Sequence, residues 1–336
     1  MASEQSFSTV DKWHSQHRSA ALRRVIILFL CLASSAGAAF RQTRRPDRDA
    51  NAKAQDQSFR IGVKVELVSL YATVHDGRGK IVTGLSQDDF KVYDNDVRQP
   101  ISQFSREYMP LSIVILLDTS GSMSGKKLEN AKKSLSRFLD RLKPGDEAML
   151  ITFDSRPHVV QSFTRDLDRI RRSIRRLDGN GSTALYDAIL TGLKESADGH
   201  NRRHVLLLLS DGVNTYGQAE LQGTIEQLRR SATELFAIGL ETDLLEDMQY
   251  KAITRSVLDR LTDSAGGESF IVGRTNELGK VCSEISERMH HQYTLAYYPP
   301  EARDARWHTV RIETRVPSYR VVASKTGYFP ATPISR

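Results

Sequence analysis

Five oxygen-bearing side chains lie just after apolar runs or in a glycine-rich loop of this sequence. The first three follow the run 113–117 directly, one lies in the glycine-rich segment 179–187, and the last comes shortly after the run 205–209. Ligand sites of open parallel sheets form outside the carboxyl ends of the strands, where the strand order reverses. If the two strands flank that point, the five side chains converge. They are Asp118, Ser120, Ser122, Thr183 and Asp211.

The chemistry of this set is that of hard oxygen ligands. It contains two carboxylates and three hydroxyls but no histidine or cysteine, which favours magnesium, calcium or manganese over zinc or copper. Two carboxylates roughly neutralise a divalent ion, and neutral hydroxyls leave the ion able to attract one more anionic oxygen. The residues therefore predict a divalent-cation site, and no residue is predicted to be catalytic.

Enzymatic interpretations fit these loops less well. The segment 121–127 is one residue short of a Walker phosphate loop and has lysine at the position of the magnesium-binding hydroxyl. A serine hydrolase would carry serine in place of Met123, and an aspartyl phosphotransferase would carry a second aspartate in place of Ser120. No histidine lies in the three loops to act as a general base. A magnesium-dependent hydrolase of phosphate or carbonyl substrates is kept as the alternative.

The elements that position the loops are read from hydrophobic patterning. Amphipathic helices, such as the one with Leu128, Leu135 and Phe138 on its apolar face, alternate with continuous apolar runs. Such runs are typical of parallel strands that are covered on both faces. The alternation predicts a doubly wound α/β domain over residues 109–291, and Cys282 is expected to be a buried packing cysteine. The runs are 113–117, 148–151, 205–209, 235–238 and 270–272.

Short β-like patterns flank this region on both sides. Residues 59–108 and 292–330 contain alternating strand segments separated by turn signals. Each segment is too small to bury a core alone. We therefore predict that the two segments pair into one small β domain, in which residues 109–291 are an insertion.

The five site residues also stand in a pattern that resembles a known family. Their order is similar to the metal-ion-dependent adhesion site of von Willebrand factor type A (VWFA) domains. The resemblance implies a mostly parallel six-stranded sheet in the order 3-2-1-4-5-6 with helices on both faces. It also implies that Ser120, Ser122 and Thr183 contact the metal directly or through water, and that Asp118 and Asp211 often act through water. A carboxylate of a partner protein would complete the coordination.

The N-terminus carries the pattern of an export signal. Arg23 and Arg24 precede an apolar run, and small residues follow it with an A-x-A cleavage pattern that ends at Ala38. The run is shorter than a membrane-spanning helix requires. We predict a signal peptide over residues 1–38, a disordered linker over residues 39–58, and a secreted or periplasmic location, with membrane attachment only if the signal stays uncleaved.

Two flanking segments are similar to sequences in secreted bacterial VWFA-related proteins, a group described in Acidobacteria. These segments are 84–94 and 325–329. This similarity implies the same bacterial envelope context that the N-terminal pattern indicates.

Charge and the remaining polar residues leave some alternatives open. The 48 basic and 41 acidic residues give a net charge of +7, a mild excess that does not require a nucleic-acid partner. Asp187 either supports the site, caps a helix or faces solvent. Six arginines on one predicted helix form a solvated face or bind an anionic surface. They are Arg165, Arg169, Arg171, Arg172, Arg175 and Arg176.

The sequence thus predicts a secreted, non-catalytic binding module. A divalent ion, Mg²⁺ or else Ca²⁺ or Mn²⁺, would capture an acidic side chain of a partner protein. Beside the hydrolase, a scaffold in which the metal only stabilises the fold is the other alternative.

Overall fold

A computed structural model describes residues 67–211, 214–240, 248–273, 277–300 and 306–330. The predicted signal peptide and linker, residues 1–58, lie outside these ranges, as does the start of the first flanking segment. None of the described helices combines the length and the apolar character that crossing a membrane requires.

Strands and helices alternate through the middle of the chain, and strands alone make up the two flanks. The described strands are β1 (Val68–His75), β2 (Phe90–Asp94), β3 (Val97–Gln99), β4 (Gln103–Ser105), β5 (Leu111–Asp118), β6 (Glu147–Phe153), β7 (Pro157–Thr164), β8 (Arg203–Ser210), β9 (Glu234–Leu240), β10 (Glu268–Val272), β11 (Tyr293–Tyr297), β12 (His308–Thr314), β13 (Arg320–Ala323) and β14 (Gly327–Tyr328). The described helices are α1 (Lys126–Leu139), α2 (Leu167–Arg175), α3 (Leu185–Ser196), α4 (Leu221–Arg230), α5 (Met248–Ala265) and α6 (Leu278–His290).

The central sheet has six strands in the order β7-β6-β5-β8-β9-β10. Numbered along the chain from β5, this order is 3-2-1-4-5-6, so the predicted topology is confirmed. Four of the five strand pairs are parallel, and only β7 runs antiparallel, against β6. The apolar runs did not indicate β7, because most of its residues are exposed or only partly buried.

The two faces of this sheet belong to two separate cores. Ile113, Ile115 and Leu117 of β5 pack into a core that includes residues of α1, α2 and α6. Val114 and Leu116 point the other way, into a core that includes residues of α3, α4 and α5. The predicted doubly wound architecture with helices on both faces is therefore confirmed. Such burial on both sides explains why the parallel strands are continuous apolar runs.

Cys282 is the cysteine that the structure describes, and it is a free thiol. It lies in the core on the α6 side and is 1% exposed. Burial raises the pKa of its thiol to about 12, because the apolar surroundings disfavour the thiolate. The predicted role as an inert packing residue is confirmed.

Strands from the two flanks pair with each other. β1 lies between β11 and β13, while β2 lies between β3 and β12. Apart from β3, these strands contribute residues to a third hydrophobic core that is separate from the two cores of the central sheet. The prediction that residues 109–291 are inserted into a separate β domain made of both flanks remains a hypothesis about domain boundaries.

A buried carboxylate links the two flanks. Asp94, at the end of β2, is 1% exposed and accepts hydrogen bonds from the hydroxyls of Tyr297 at 2.8 Å and Tyr328 at 2.7 Å. The ring of His308 lies with Nδ1 2.9 Å from the same carboxyl group. Because the partners belong to three strands of the C-terminal flank, this one side chain joins residues more than two hundred positions apart.

We expect Asp94→Ala to destabilise the protein by about 3 kcal/mol, because it removes a buried carboxylate that accepts hydrogen bonds from the hydroxyls of Tyr297 and Tyr328 and lies against the His308 ring. Asp88→Ala is the matched control, since Asp88 is exposed in the same flank, and it should stay within about 0.5 kcal/mol of the wild type. Urea unfolding followed by circular dichroism measures both values.

The division of the chain can be tested with fragments. A fragment of residues 108–292 should fold alone because it contains both cores of the central sheet. Residues 59–108 alone should not fold, since β1 and β2 would lose β11, β12 and β13. Amide exchange checks this, and protected amides in the isolated flank would contradict the insertion hypothesis.

Candidate functional site

The pairing of β5 with β8 places two of the predicted residues side by side. These strands are parallel neighbours in register, with Leu117 opposite Leu209. The next residues along are Asp118, which ends β5, and Ser210, which ends β8. The Ser210 hydroxyl donates a hydrogen bond of 2.5 Å to Oδ2 of Asp118. Asp211 follows directly, so both carboxylates lie at the carboxyl edge of the sheet.

A chain of hydrogen bonds joins four of the five predicted residues. The Ser120 backbone N–H donates to Oδ1 of Asp118 at 2.8 Å, which folds the loop back on the strand end. The Ser120 and Ser122 hydroxyl oxygens lie 3.1 Å apart. The Ser122 hydroxyl donates to Oδ1 of Asp211 at 2.8 Å. The structure therefore brings these four side chains together, as the sequence predicts.

The glycine-rich loop carries Thr183 to the same edge. Its backbone is bound to the serine loop, with the Gly121 N–H donating to the Gly181 carbonyl at 2.9 Å. The N–H of Thr183 donates to the Thr215 hydroxyl at 3.0 Å, and the Thr215 N–H donates back to the Thr183 carbonyl at 2.9 Å. Thr183 is 5% exposed. Its segment thus lies between the serine loop and the chain that follows Asp211.

Burial decides the electrostatics of the site. Asp118 is fully buried and Asp211 is 2% exposed, whereas Ser122 is exposed to solvent. Burial raises the pKa of Asp118 to about 6, although hydrogen bonds from Ser120 and Ser210 act to lower it, and the negative charge of Asp211 raises it further. Two buried carboxylates at the ends of neighbouring strands raise the free energy of the folded state when both are ionised, unless a cation compensates their charge.

Lys127 is a member of the site that the sequence did not predict. It lies in the first turn of α1, and its ammonium forms an ion pair with Oδ2 of Asp211 and donates to the Ser122 carbonyl at 3.2 Å. In the sequence, Lys127 stands out only because it takes the place of the hydroxyl that a Walker phosphate loop would require. Its place directly after the serine loop was a signal that it could reach the carboxylates, but only the direction of α1 determines that it does.

Asp187 supports the loop that follows Asp211. Its Oδ2 accepts a hydrogen bond from the Gln218 backbone N–H at 3.1 Å. Gly217, with a φ of +112°, passes so close that a Cβ there would lie 1.9 Å from the same oxygen. Of the roles left open by the sequence, the structure shows Asp187 anchoring a loop of the site. This glycine is needed for both its backbone angle and its lack of a side chain.

The donor set fits a hard divalent cation. No cluster of three or more histidine, cysteine, aspartate or glutamate residues suited to a metal occurs in the described ranges. A cation at this edge would be held by two carboxylates and by hydroxyls, the oxygen ligands that suit magnesium, calcium and manganese. Residues that would hold it are Asp118, Ser120, Ser122, Thr183 and Asp211.

A serine, a histidine and an aspartate also form a chain of side-chain contacts elsewhere in the fold. Ser286 Oγ lies 3.3 Å from Nδ1 of His290, and His290 Nε2 lies 2.9 Å from Oδ2 of Asp146. The three loops of the candidate site contain no histidine, and this serine–histidine pair lies outside them. All three residues are buried, at 3%, 8% and 3% exposure. The array therefore ties the end of α6 to the start of β6 instead of presenting a nucleophile.

The arginines on and beside α2 are partly compensated by acidic neighbours. Arg171 forms ion pairs with Asp140 and Asp168, and Arg169 pairs with Asp166. These contacts are on the surface and are worth little energy each. They support the interpretation as a solvated face.

The sheet with helices on both faces defines a doubly wound α/β domain, and the oxygen cluster lies at the carboxyl edge of that sheet. The family model described as "von Willebrand factor type A domain" matches residues 112–284, about half of the chain. The protein therefore belongs to the von Willebrand factor type A family. Domains of this family are generally protein-interaction modules and often depend on a metal.

Two relatives are similar to part of this chain. An uncharacterized protein of Synechocystis sp. is 36% identical over 112 residues, which is 32% of this chain and 27% of that protein. Inter-alpha-trypsin inhibitor heavy chain H1 of Sus scrofa is 32% identical over 148 residues, which is 40% of this chain and 16% of the other. The similarity thus spans less than a third of the length of either relative.

Solved structures of low sequence identity are also similar to this chain. The vWF domain of the type V pili tip protein Mfa5 from Porphyromonas gingivalis is 15% identical, with 54% of this chain and 95% of that chain covered and a TM-score of 0.45. A von Willebrand factor type A protein from Catenulispora acidiphila is 12% identical, with 80% and 75% covered and a TM-score of 0.48.

The contact between the two loops of the site predicts which glycines can be changed. A Cβ on Gly179 would lie 3.0 Å from Cα of Ser124 and 3.2 Å from the Ser120 carbonyl oxygen, whereas a Cβ on Gly121 would meet nothing closer than 3.4 Å. Gly179→Ala should therefore separate the loops and cost about 1–3 kcal/mol. Gly121→Ala is the control and should cost less in thermal unfolding; equal losses would contradict the close contact.

Proposed function

We propose that Asp118, Ser120, Ser122, Thr183 and Asp211 hold a divalent cation, and that the cation binds a carboxylate of a partner protein. One observation carries this proposal. Two buried carboxylates, Asp118 and Asp211, are linked through Ser120 and Ser122, and Ser122 is exposed to solvent at the carboxyl edge of the sheet. The carboxylates are thus enclosed by protein, while the site is accessible from solvent at Ser122.

Charge explains why such a site would accept an anion. Two carboxylates balance the two positive charges of a divalent ion, and the hydroxyls add oxygen ligands without adding charge. An ion held in this way keeps its attraction for a further anionic oxygen. The exposed position of Ser122 gives a partner side chain access to that point.

A binding role is supported over catalysis by the surroundings of the site hydroxyls. The Ser122 hydroxyl donates to Asp211, whose carboxylate is also paired with Lys127, and no histidine lies in the three loops to act as a general base for a serine nucleophile. Membership of a family of interaction modules supports the same choice. The proposed location, secreted or periplasmic, depends on the export signal in residues 1–38 and is independent of the site.

Metal binding is the first test. Isothermal titration calorimetry with Mg²⁺ and Mn²⁺ should show one site in the wild type. Asp118→Asn keeps the shape of the side chain but removes one charge, and we expect affinity weaker on the order of 100-fold. Asp198→Asn is the control, because Asp198 is exposed and precedes β8, at the far end of that strand from Asp211. Equal affinities in all three proteins would refute the assignment.

Partner capture is the second test. Immobilised protein should retain partners from envelope and culture-medium proteins in Mg²⁺ and release them in EDTA, and Asp118→Asn should retain none. Retention that ignores EDTA would exclude metal-dependent capture. A metal-induced rise in melting temperature with no partner would favour the scaffold alternative, and metal-dependent turnover of a phosphate or carbonyl substrate would favour the hydrolase.

A further inference from the structure

The ammonium of Lys127 occupies one oxygen of a proposed metal ligand. Asp211 has two carboxylate oxygens, and both are engaged: Oδ1 accepts from the Ser122 hydroxyl at 2.8 Å, and Oδ2 forms the ion pair with Lys127. The side chain of Asp211 is 1% exposed, so few other groups can reach it. Among the residues that the structure describes, Lys127 is the cation that pairs with this carboxylate.

We infer that Lys127 competes with the divalent cation for Asp211 and thereby sets the affinity of the site. This inference rests on the proposed function, because it needs Asp211 to take part in holding the metal. The Lys127 ammonium, with its single positive charge, would compete with the metal ion for the Asp211 carboxylate. A higher metal concentration would then be needed to occupy the site than if Lys127 were absent.

Electrostatics gives the direction of the effect. A divalent ion at Asp211 and an ammonium on the same carboxylate repel each other strongly at such short distances. Binding of the metal must therefore displace the ammonium or accept that repulsion, and either event weakens binding. Lysine suits this role because its charge is a compact point on a flexible four-carbon stem. With 21% of its side chain exposed, Lys127 can withdraw toward solvent.

Lys127 should have the opposite effect on the stability of the metal-free protein, which it should increase. The ion pair compensates a buried carboxylate, so the fold does not depend entirely on metal to offset that charge. Removal of the ammonium should make the protein without metal less stable and should make metal binding more favourable. These two shifts in opposite directions distinguish competition from a simple loss of structure.

Lys127→Met is the decisive variant, since methionine keeps a long flexible stem and favours the helix. Lys127→Gln is the second, because it stays neutral but can still donate to Asp211. The matched control is Lys126→Met, which removes the same charge from the exposed neighbouring residue. Calorimetry with Mn²⁺ and Mg²⁺ measures affinity, and thermal unfolding in EDTA and in excess Mg²⁺ measures stability.

We expect Lys127→Met to bind Mn²⁺ about tenfold more tightly than the wild type, because a partly buried ion pair no longer opposes the metal. Lys127→Gln should be intermediate, and Lys126→Met should change affinity less than twofold. In EDTA the melting temperature of Lys127→Met should be lower than that of the wild type, and Mg²⁺ should raise it by more.

Two negative results have different meanings. If the wild type binds metal and Lys127→Met binds it equally or more weakly, the competition is refuted while the metal site stands. If neither protein binds Mn²⁺ or Mg²⁺, both the competition and the proposed function are refuted. If only Lys127→Met binds metal, the competition is supported, but the proposed metal-dependent function of the wild type is refuted.

Discussion

Parallel pairing of β5 with β8 is the interaction on which the rest of this structure depends. It places Leu117 beside Leu209 and divides β5 between two cores, so both layers of helices rely on it. It also fixes where the two strands end, and therefore how close Asp118 and Asp211 come. The Asp118 carboxylate loses most of its hydration at this position, which explains its raised pKa. Fold and site thus share one cause.

Much of the central sheet and of the site was predictable because the signals are local. Continuous apolar runs mark strands covered on both faces, and each predicted site residue stands next to such a run or in a glycine-rich turn. No apolar run marks β7, because it is an edge strand: Val159 and Val160 are 45% and 37% exposed, and its register against β6 is irregular. Lys127 was missed for another reason, since its role depends on the direction in which α1 leaves the loop.

Contacts between distant parts of the chain were beyond the reach of sequence patterns. The buried array of Ser286, His290 and Asp146 joins residues 144 positions apart, and no local spacing indicates that a histidine at a helix end meets an aspartate before β6. Short strands such as β3 and β4 have three residues each, too few for a periodicity to be recognised. Such strands exist because their neighbours provide an edge to pair with.

The pairing of the two flanks has a consequence for how the chain folds during synthesis. β1 is made early, but its partner β11 comes roughly 230 residues later, a delay of about 10–45 s at typical rates of translation. Throughout that interval the unpaired edges of β1 and β2 are open to proteases and to other chains. The intervening sheet can form first, and its completion brings β11 back toward β1, which shortens the search for the partner. A nascent chain of this protein is therefore most exposed to proteolysis and aggregation in the interval before its C-terminal strands are synthesised.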